Sequence, residues 1–306
     1  MKKFLKLAVI ASLAVLTGNK VLHKQRNEPS ASPDTASAMR DGPKKHLPGE
    51  NDPSVASLLN QSYKTKHFVF YFAEKKPSLE NVFNILGKNY ARLTRIFGIS
   101  FKKRIRVEIY PNIRLYHQRT FGINTPDWAV GNFDPRDKTL RMVSPNHPGS
   151  YHSSRSVVKI AVHEFVHCVV FKYRDDSRKG LPTWLDEGTA DYYSDGFSKK
   201  GREVVEDAVG AGKIPSLSDI ESDFLKNNGY PFAYTLVDFI VKKFGQKRLL
   251  DFIKDSPSND PASYERHFSM TKEAFNSAWR QFLKETYNSA AIKTSRSGAY
   301  QPPSPQ

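Results

Sequence analysis

The sequence predicts an α+β domain with a mixed sheet in an N-terminal lobe, a mostly helical C-terminal lobe and a cleft between them. Residues 67–73 are rich in aromatic side chains and residues 104–110 alternate apolar with charged ones, and both patterns indicate strands. Residues 128–133 and 139–143 flank an Asp-Pro-Arg-Asp turn, which indicates a hairpin. Most of the chain after residue 155 has helical periodicity instead.

Helices are predicted wherever apolar residues recur every three or four positions. Residues 79–97 show this spacing and are followed by Gly98, a residue type typical of helix ends. A short helix is predicted at 113–121 and a strongly apolar one at 156–173. After a second helical stretch that begins near residue 183, the predicted helices are 203–211, 231–244, 246–254 and 271–287, with Thr271 as the cap of the last.

The predicted domain spans residues 58–288 and is flanked by segments of different composition. Residues 1–22 begin with two lysines and continue as an apolar run, which is the pattern of a signal peptide or a signal anchor. Residues 23–57 and 289–306 are polar and aperiodic, which predicts a disordered linker and a disordered tail. We therefore expect an exported protein, either secreted or held at the membrane by an uncleaved N-terminal segment.

The composition is strongly basic and nearly free of cysteine. Cys168 is the only cysteine, so no intrachain disulfide can form. The net charge is +16, but the basic residues are scattered, and no zinc finger, RNP motif or basic helix stands out. We expect no specific nucleic-acid partner, whereas a cationic surface could favour anionic cell-wall polymers or membrane headgroups.

The most specific pattern is His163-Glu164-Phe165-Val166-His167, which lies inside the apolar helix predicted at 156–173. Residues four apart lie on one face of a helix, so His163 and His167 can direct two imidazoles at one metal ion. Glu164 borders the same face, where it can take a proton from metal-bound water without being a ligand.

A second segment, Leu185-Asp186-Glu187-Gly188-Thr189-Ala190-Asp191, follows in the next predicted helix. Glu187 can supply a third ligand and leave the fourth tetrahedral position for water, the arrangement of catalytic zinc sites. Asp191 lies one helical turn later, so it can accept the outer N–H of a ligand histidine. The two segments therefore predict a Zn²⁺ site with its own base and an outer-shell carboxylate.

These segments resemble the gluzincin metallopeptidases, the superfamily of thermolysin and the zinc aminopeptidases, and are most similar to small bacterial peptidase-MA-like domains. The family's Trp-x-x-Glu-Gly-x-Ala pattern is matched here by Trp184, Glu187, Gly188 and Ala190. The resemblance implies a zincin-like fold and the same three zinc ligands, base and outer partner.

The resemblance also reaches the segment 230–245, which is similar to the helix that carries the family's transition-state tyrosine. It implies this role for Tyr230, with Tyr234, one turn later, as the alternative. In the zinc aminopeptidases a Gly-x-Met-x-Asn strand carries a Glu that holds the free amine of the substrate. Residues 128–133 correspond to that strand and contain neither Glu nor Met, which favours internal cleavage.

The predicted function is that of an exported zinc metallopeptidase, with an endopeptidase favoured. Glu164 would assist the attack of zinc-bound water on a peptide carbonyl, and the ion and Tyr230 would stabilise the oxyanion. An edge strand at 128–133 would hold the backbone of a peptide or protein substrate. The alternative is a zinc-stabilised, non-catalytic domain that binds anionic wall or membrane surfaces; the presence of Glu164 favours the enzyme.

Two histidines, His147 and His152, lie just before the helix that carries the motif. We interpret them as surface loop residues, with additional cleft residues as the alternative. His117 has no informative spacing.

Overall fold

The structure is a computed structural model that describes residues 57–121, 125–175, 180–255 and 260–288. Five strands form one mixed sheet in the spatial order β1-β2-β3-β5-β4. The inner strands β2, β3 and β5 are parallel, while β1 and β4 are antiparallel to their neighbours at the two edges. The strands are β1 Gln61–Lys64, β2 Phe68–Phe72, β3 Ile105–Tyr110, β4 Gly131–Asp134 and β5 Thr139–Val143.

In the sequence, two helices lie between strands, and the helices from residue 154 onward follow the last strand, β5. The bounds are α1 Glu80–Phe97, α2 Ile113–Thr120, α3 Ser154–Tyr173, α4 Thr183–Tyr193, α5 Lys199–Gly210, α6 Leu217–Ser222, α7 Gly229–Phe244, α8 Gln246–Asp255, α9 Ala262–Phe268 and α10 Lys272–Tyr287. A short 3₁₀ turn, Lys76–Leu79, precedes α1. Within the described ranges, no helix combines the length and apolarity needed to cross a membrane.

The two faces of the sheet are covered differently. Val107 and Ile109 of β3 enter the main hydrophobic core, to which α1 and α3 contribute. Tyr110 points to the other face and joins Leu59 and Tyr116 in a second, smaller cluster under α2. The alternation of β3 therefore fills two cores, because successive side chains of a strand point to opposite faces.

Helix α3 lies between the sheet and the C-terminal helices. It packs against α1, β4 and β5 on one side and against α4 on the other. Helix α4 in turn crosses α7 very closely at Gly188, where a Cβ atom would lie 2.3 Å from the carbonyl oxygen of Ala233. A glycine at this position is therefore required for the two helices to touch, which explains the Glu-Gly pair of the sequence motif.

The α+β prediction, with an N-terminal mixed sheet and a mostly helical remainder, is confirmed. The predicted strands, hairpin and long helices all form, and the hydroxyl of Thr271 caps α10 by accepting the N–H of Ala274. Two bounds differ from the prediction: β4 begins at Gly131 and not at residue 128, and α5 begins at Lys199 and not at residue 203. Four short elements were not predicted: β1, the 3₁₀ turn, α6 and α9. The predicted signal segment, nearly all of the linker, and the tail lie outside the described residues, so these predictions stay predictions.

Candidate metal centre

The structure brings the three predicted metal ligands together between α3 and α4. The Nε2 atoms of His163 and His167 are 3.1 Å apart. Glu187 places Oε2 3.3 Å from the Nε2 of His163 and Oε1 3.8 Å from the Nε2 of His167. His163 and Glu187 are buried and His167 is nearly so, which means that three ligand atoms converge in a site largely shielded from water.

Each imidazole is oriented by a carboxylate on α4. The Nδ1–H of His163 donates to Asp191 at 3.0 Å, and the Nδ1–H of His167 donates to Asp186 at 3.1 Å. Because a carboxylate can only accept, these bonds place the ring protons on Nδ1 and leave both Nε2 lone pairs facing each other and Glu187. Asp186, Glu187 and Asp191 are so spaced on α4 that all three contact histidines of α3.

This donor set fits a zinc ion. Two ligands on a tetrahedral Zn²⁺, each about 2.0–2.1 Å from it, lie about 3.3 Å apart, close to the three distances above. The Oε2 atom of Glu187 is buried and, among the described residues, has no hydrogen-bond partner. Facing lone pairs and an unsatisfied buried oxygen are costly unless a proton or a cation lies among them.

Without a metal, protons would occupy the site instead. Burial lowers the pKa of both histidines, but the carboxylates outweigh it. The pKa of His163 is raised well above its ordinary value, mainly by Asp191 and Glu187, and that of His167 to about 9, mainly by Asp186 and Glu187. A metal must displace these protons, so metal affinity should fall as the pH is lowered below about 9.

Glu164, the predicted base, is buried beside the edge strand β4. A Cβ atom on Gly131 would lie 3.1 Å from the Cγ of Glu164, 3.3 Å from its Oε1 and 2.7 Å from the Cγ2 of Ile160. The backbone of β4 therefore lies directly against the base, and only a glycine at this position leaves room for it.

The two candidate tyrosines have different surroundings. Tyr230, at the start of α7, is buried and its ring packs edge-to-face on Phe224. Tyr234 stacks on Phe197 with ring centroids 4.1 Å apart and also contacts Tyr192, so it belongs to an aromatic cluster. Both rings pack on aromatic neighbours, so the choice of Tyr230 over Tyr234 for the oxyanion role stays a prediction.

Among the described residues, β4 is an edge strand with no strand paired on its outer side, and it lies alongside α3. The pair Asn132↔Arg141 and the hydrogen bond from Val143 N–H to the carbonyl of Val130 set its alternation with β5. In an antiparallel pair the main-chain groups of alternate residues point inward and outward, so those of Gly131 and Phe133 face the open edge. An extended peptide could pair with them and pass Glu164.

A buried ionic network holds the other face of the β4–β5 hairpin. Arg141 is the centre of this network and contacts Glu108 of β3, Asp134 of β4 and Asp137 of the turn. Beside it, the hydroxyl of Tyr116 donates to the side-chain oxygen of Asn132 at 3.1 Å. These contacts fix the edge strand from the side of β5 and α2.

Comparison with protein-family models matches residues 87–285 to the peptidase MA superfamily. The match covers well over half of the sequence and includes α3, α4 and α7. The chain belongs to the peptidase MA superfamily. A comparison with curated proteins found no match.

Membership of the peptidase MA superfamily confirms the resemblance that the motifs carry. It gives the chain a metallopeptidase-like fold and implies peptides or proteins as its class of substrate. The roles of the individual residues stay predictions, which the geometry of the cluster supports.

Sequence reasoning missed several residues around this peptidase-like site. Asp186, which contacts His167, immediately precedes Glu187, and the usual need of a metal-bound histidine for an outer acceptor could have indicated it. His152 is half-buried and bonded to the backbone, which corrects its interpretation as a surface loop residue, while His147 is exposed as expected. His117 gave no signal, because its partner lies on a distant loop.

Proposed function

We propose that this protein is a zinc-dependent peptidase that cleaves peptide bonds internally. The observation that carries the proposal is the convergence of His163, His167 and Glu187, with Glu164 beside them and an open sheet edge alongside. A zinc ion held by the three ligands would supply a Lewis acid that lowers the pKa of water and polarises a carbonyl oxygen.

Residues of the chain would supply the proton transfer and the stabilisation of the oxyanion. Glu164 takes a proton from the attacking water and passes it to the nitrogen of the leaving amine. Its carboxylate is held by the contact of α3 with Gly131, so it starts close to the path of the peptide. The hydroxyl of Tyr230 would donate to the oxygen on which negative charge develops.

Strand β4 would align the substrate. Gly131 and Phe133 offer outward main-chain groups, and an extended peptide that pairs with them gains orientation without a demand on its side chains. At Gly131 there is no room for a side chain, so the strand carries no amine-binding carboxylate at this point. A strand without a carboxylate that could bind the free amino group of a substrate supports internal cleavage.

The proposal extends to location. The charged start and apolar run of residues 1–22 support export, either as a secreted or as an anchored protein. The strongly basic composition is compatible with an anionic surface nearby.

The decisive experiment combines zinc content with cleavage of casein. We expect about one zinc per chain for the three-ligand site and casein cleavage that a chelator abolishes and zinc restores. Glu164→Ala and Glu164→Gln should keep the zinc and lose at least about 10²-fold in kcat, the usual size of a general-base effect. A wild-type protein without zinc, or a Glu164→Ala variant as active as wild type, would contradict the proposal. Zinc binding without cleavage of any peptide would favour the non-catalytic alternative.

A further inference from the structure

Two histidines outside the metal centre hold the chain just before the edge strand. The Nε2 of His117, on α2, lies 2.8 Å from the carbonyl oxygen of Ala129. The Nε2 of His152, in the loop just before α3, lies 3.0 Å from the carbonyl oxygen of Trp128. A carbonyl can only accept, so both ring nitrogens donate and two consecutive peptide units are held from two directions.

The position of this pair connects it to the metal helix. His152 immediately precedes Ser153, which caps α3, so its bond to Trp128 joins the beginning of α3 to the segment that becomes β4. Only two residues after Ala129, Gly131 touches Glu164. A shift of residues 128–129 would therefore displace Glu164 and the outer edge of β4.

The pair also limits where a peptide can bind. The carbonyl of Ala129 lies just before β4, which begins at Gly131. His117 occupies that carbonyl, so strand pairing begins at Gly131. His117 is itself buried, which means that a peptide cannot easily displace it.

The protonation of His152 agrees with a donor role. Burial lowers its pKa to about 4, so the ring is neutral at ordinary pH. The carbonyl oxygen of Trp128 can only accept, so the single ring proton lies on Nε2, and Nδ1, 3.3 Å from the hydroxyl oxygen of Ser156, carries none.

We propose that His117 and His152 are positioning residues that hold β4 in the place where an extended peptide pairs with it and passes Glu164. Their effect is transmitted through the backbone of residues 128–131 and not through contact with the metal. This inference rests on the proposed peptidase function, which it deepens by naming what aligns the substrate.

The test compares two double variants of the full chain. His117→Leu/His152→Leu removes both donors, whereas His117→Gln/His152→Gln keeps an amide N–H at a similar reach. His267→Leu is the matched control, because His267 is comparably buried but packs on Phe252 and Phe268 among the C-terminal helices. The single variant His152→Leu, at a half-buried site, serves if the double variant does not fold.

Two readouts separate positioning from general stability. In the leucine variant we expect hydrogen exchange to be about tenfold faster across residues 126–134, as the loss of two hydrogen bonds implies, and unchanged in α3. For an octapeptide containing a casein site that the wild type cleaves, KM should rise at least about fivefold while zinc content stays the same. The glutamine variant and His267→Leu should resemble wild type in both.

The outcomes distinguish this inference from the proposed function. A folded, zinc-loaded leucine variant with wild-type exchange and wild-type KM would overturn it, as would an equal loss in the glutamine variant. If the wild type itself cleaves no peptide, the proposed function fails, and the exchange experiment still decides whether the two histidines hold β4.

Discussion

The two halves of the candidate site are built in different ways. The metal half comes from consecutive helices, α3 and α4, and all its groups lie between His163 and Asp191. The substrate half centres on β4. Histidines from α2 and from the loop before α3 bond the backbone just before this strand, and side chains of α2 and β5 bond the side chains of Asn132 and Asp134 within it. The metal half fixes side chains, because ligand atoms must converge on one ion. The substrate half fixes a main chain, because an extended peptide pairs with the backbone of a strand.

This difference has a testable consequence. Substitutions in the metal half should abolish zinc binding and, as a result, catalysis. Substitutions in the substrate half should leave zinc binding unchanged but displace either Glu164 or the bound peptide.

The largest effect is expected from His163→Ala. Loss of a direct ligand should weaken zinc affinity by at least about 10³-fold, more than the 10–100-fold typical of outer partners, and abolish casein cleavage. Zinc titration in competition with a chromogenic chelator measures this. Cys168→Ala is a suitable control, because Cys168 is a buried neighbour on α3 that points about 100° away from His167. Zinc binding by His163→Ala at wild-type strength would show that the cluster is not the metal site.

The next largest effect should come from Gly131→Ala, on the boundary between the two halves. The new methyl group would lie 2.7 Å from Ile160 and 3.1 Å from Glu164, so the strand or the base has to move. A displacement of this kind can cost about 10²-fold in kcat, while the zinc ligands should be unaffected.

The control for this substitution is Gly87→Ala on α1, where a Cβ atom meets nothing within 4 Å. It should keep full activity and stabilise the helix by roughly 0.5–1 kcal/mol, since alanine loses less backbone entropy than glycine. Unchanged kcat in Gly131→Ala would mean that the contact between β4 and Glu164 does not position the base.

The same contrast explains what the sequence could predict. His163 and His167 follow helical spacing, as do Glu187 and Asp191, and the carboxylate partner expected for a ligand histidine is found at Asp191. The strands that carry the sheet were also recognisable from their alternation. The contacts of His117 and Tyr116 join residues 12 and 16 positions away with no repeating pattern between them, so no periodicity could indicate them. Strand β1 was missed because it is a largely exposed edge strand without apolar alternation.

A smaller effect should separate the two outer carboxylates of the metal half. Asp191 is mostly buried and Asp186 is about one-third exposed, with side-chain accessibilities of 10% and 34%. We expect Asp191→Ala to weaken zinc affinity towards the upper end of the 10–100-fold range and Asp186→Ala towards the lower end, because water can replace the more exposed partner. Asp207→Ala, at an exposed position of α5, is the control in the same zinc titration. Equal losses in the two aspartate variants would show that exposure does not determine the contribution of the outer partner.

The smallest expected effect concerns the response of stability to pH. Because burial holds the pKa of His152 at about 4, below its ordinary 6.5, the unfolded chain binds more protons than the folded one between these values. This group therefore lowers the free energy of unfolding as the pH falls from 6.5 towards 4, and makes no further difference below that. His152→Gln removes the titration but keeps the donor to Trp128.

Urea unfolding of the metal-free protein at pH 7 and pH 5 should accordingly show a smaller loss of stability on acidification for His152→Gln than for wild type. The raised pKa values of His163 and His167 act in the opposite direction, since the folded metal-free protein holds their protons more tightly. That contribution is common to both proteins and cancels in the comparison. Identical pH responses would mean that His152 is not held neutral in the fold. A smaller loss in the variant would show that the fold opposes protonation of His152 in the substrate half, which is the opposite sign to the one that the raised pKa values of His163 and His167 give the metal half.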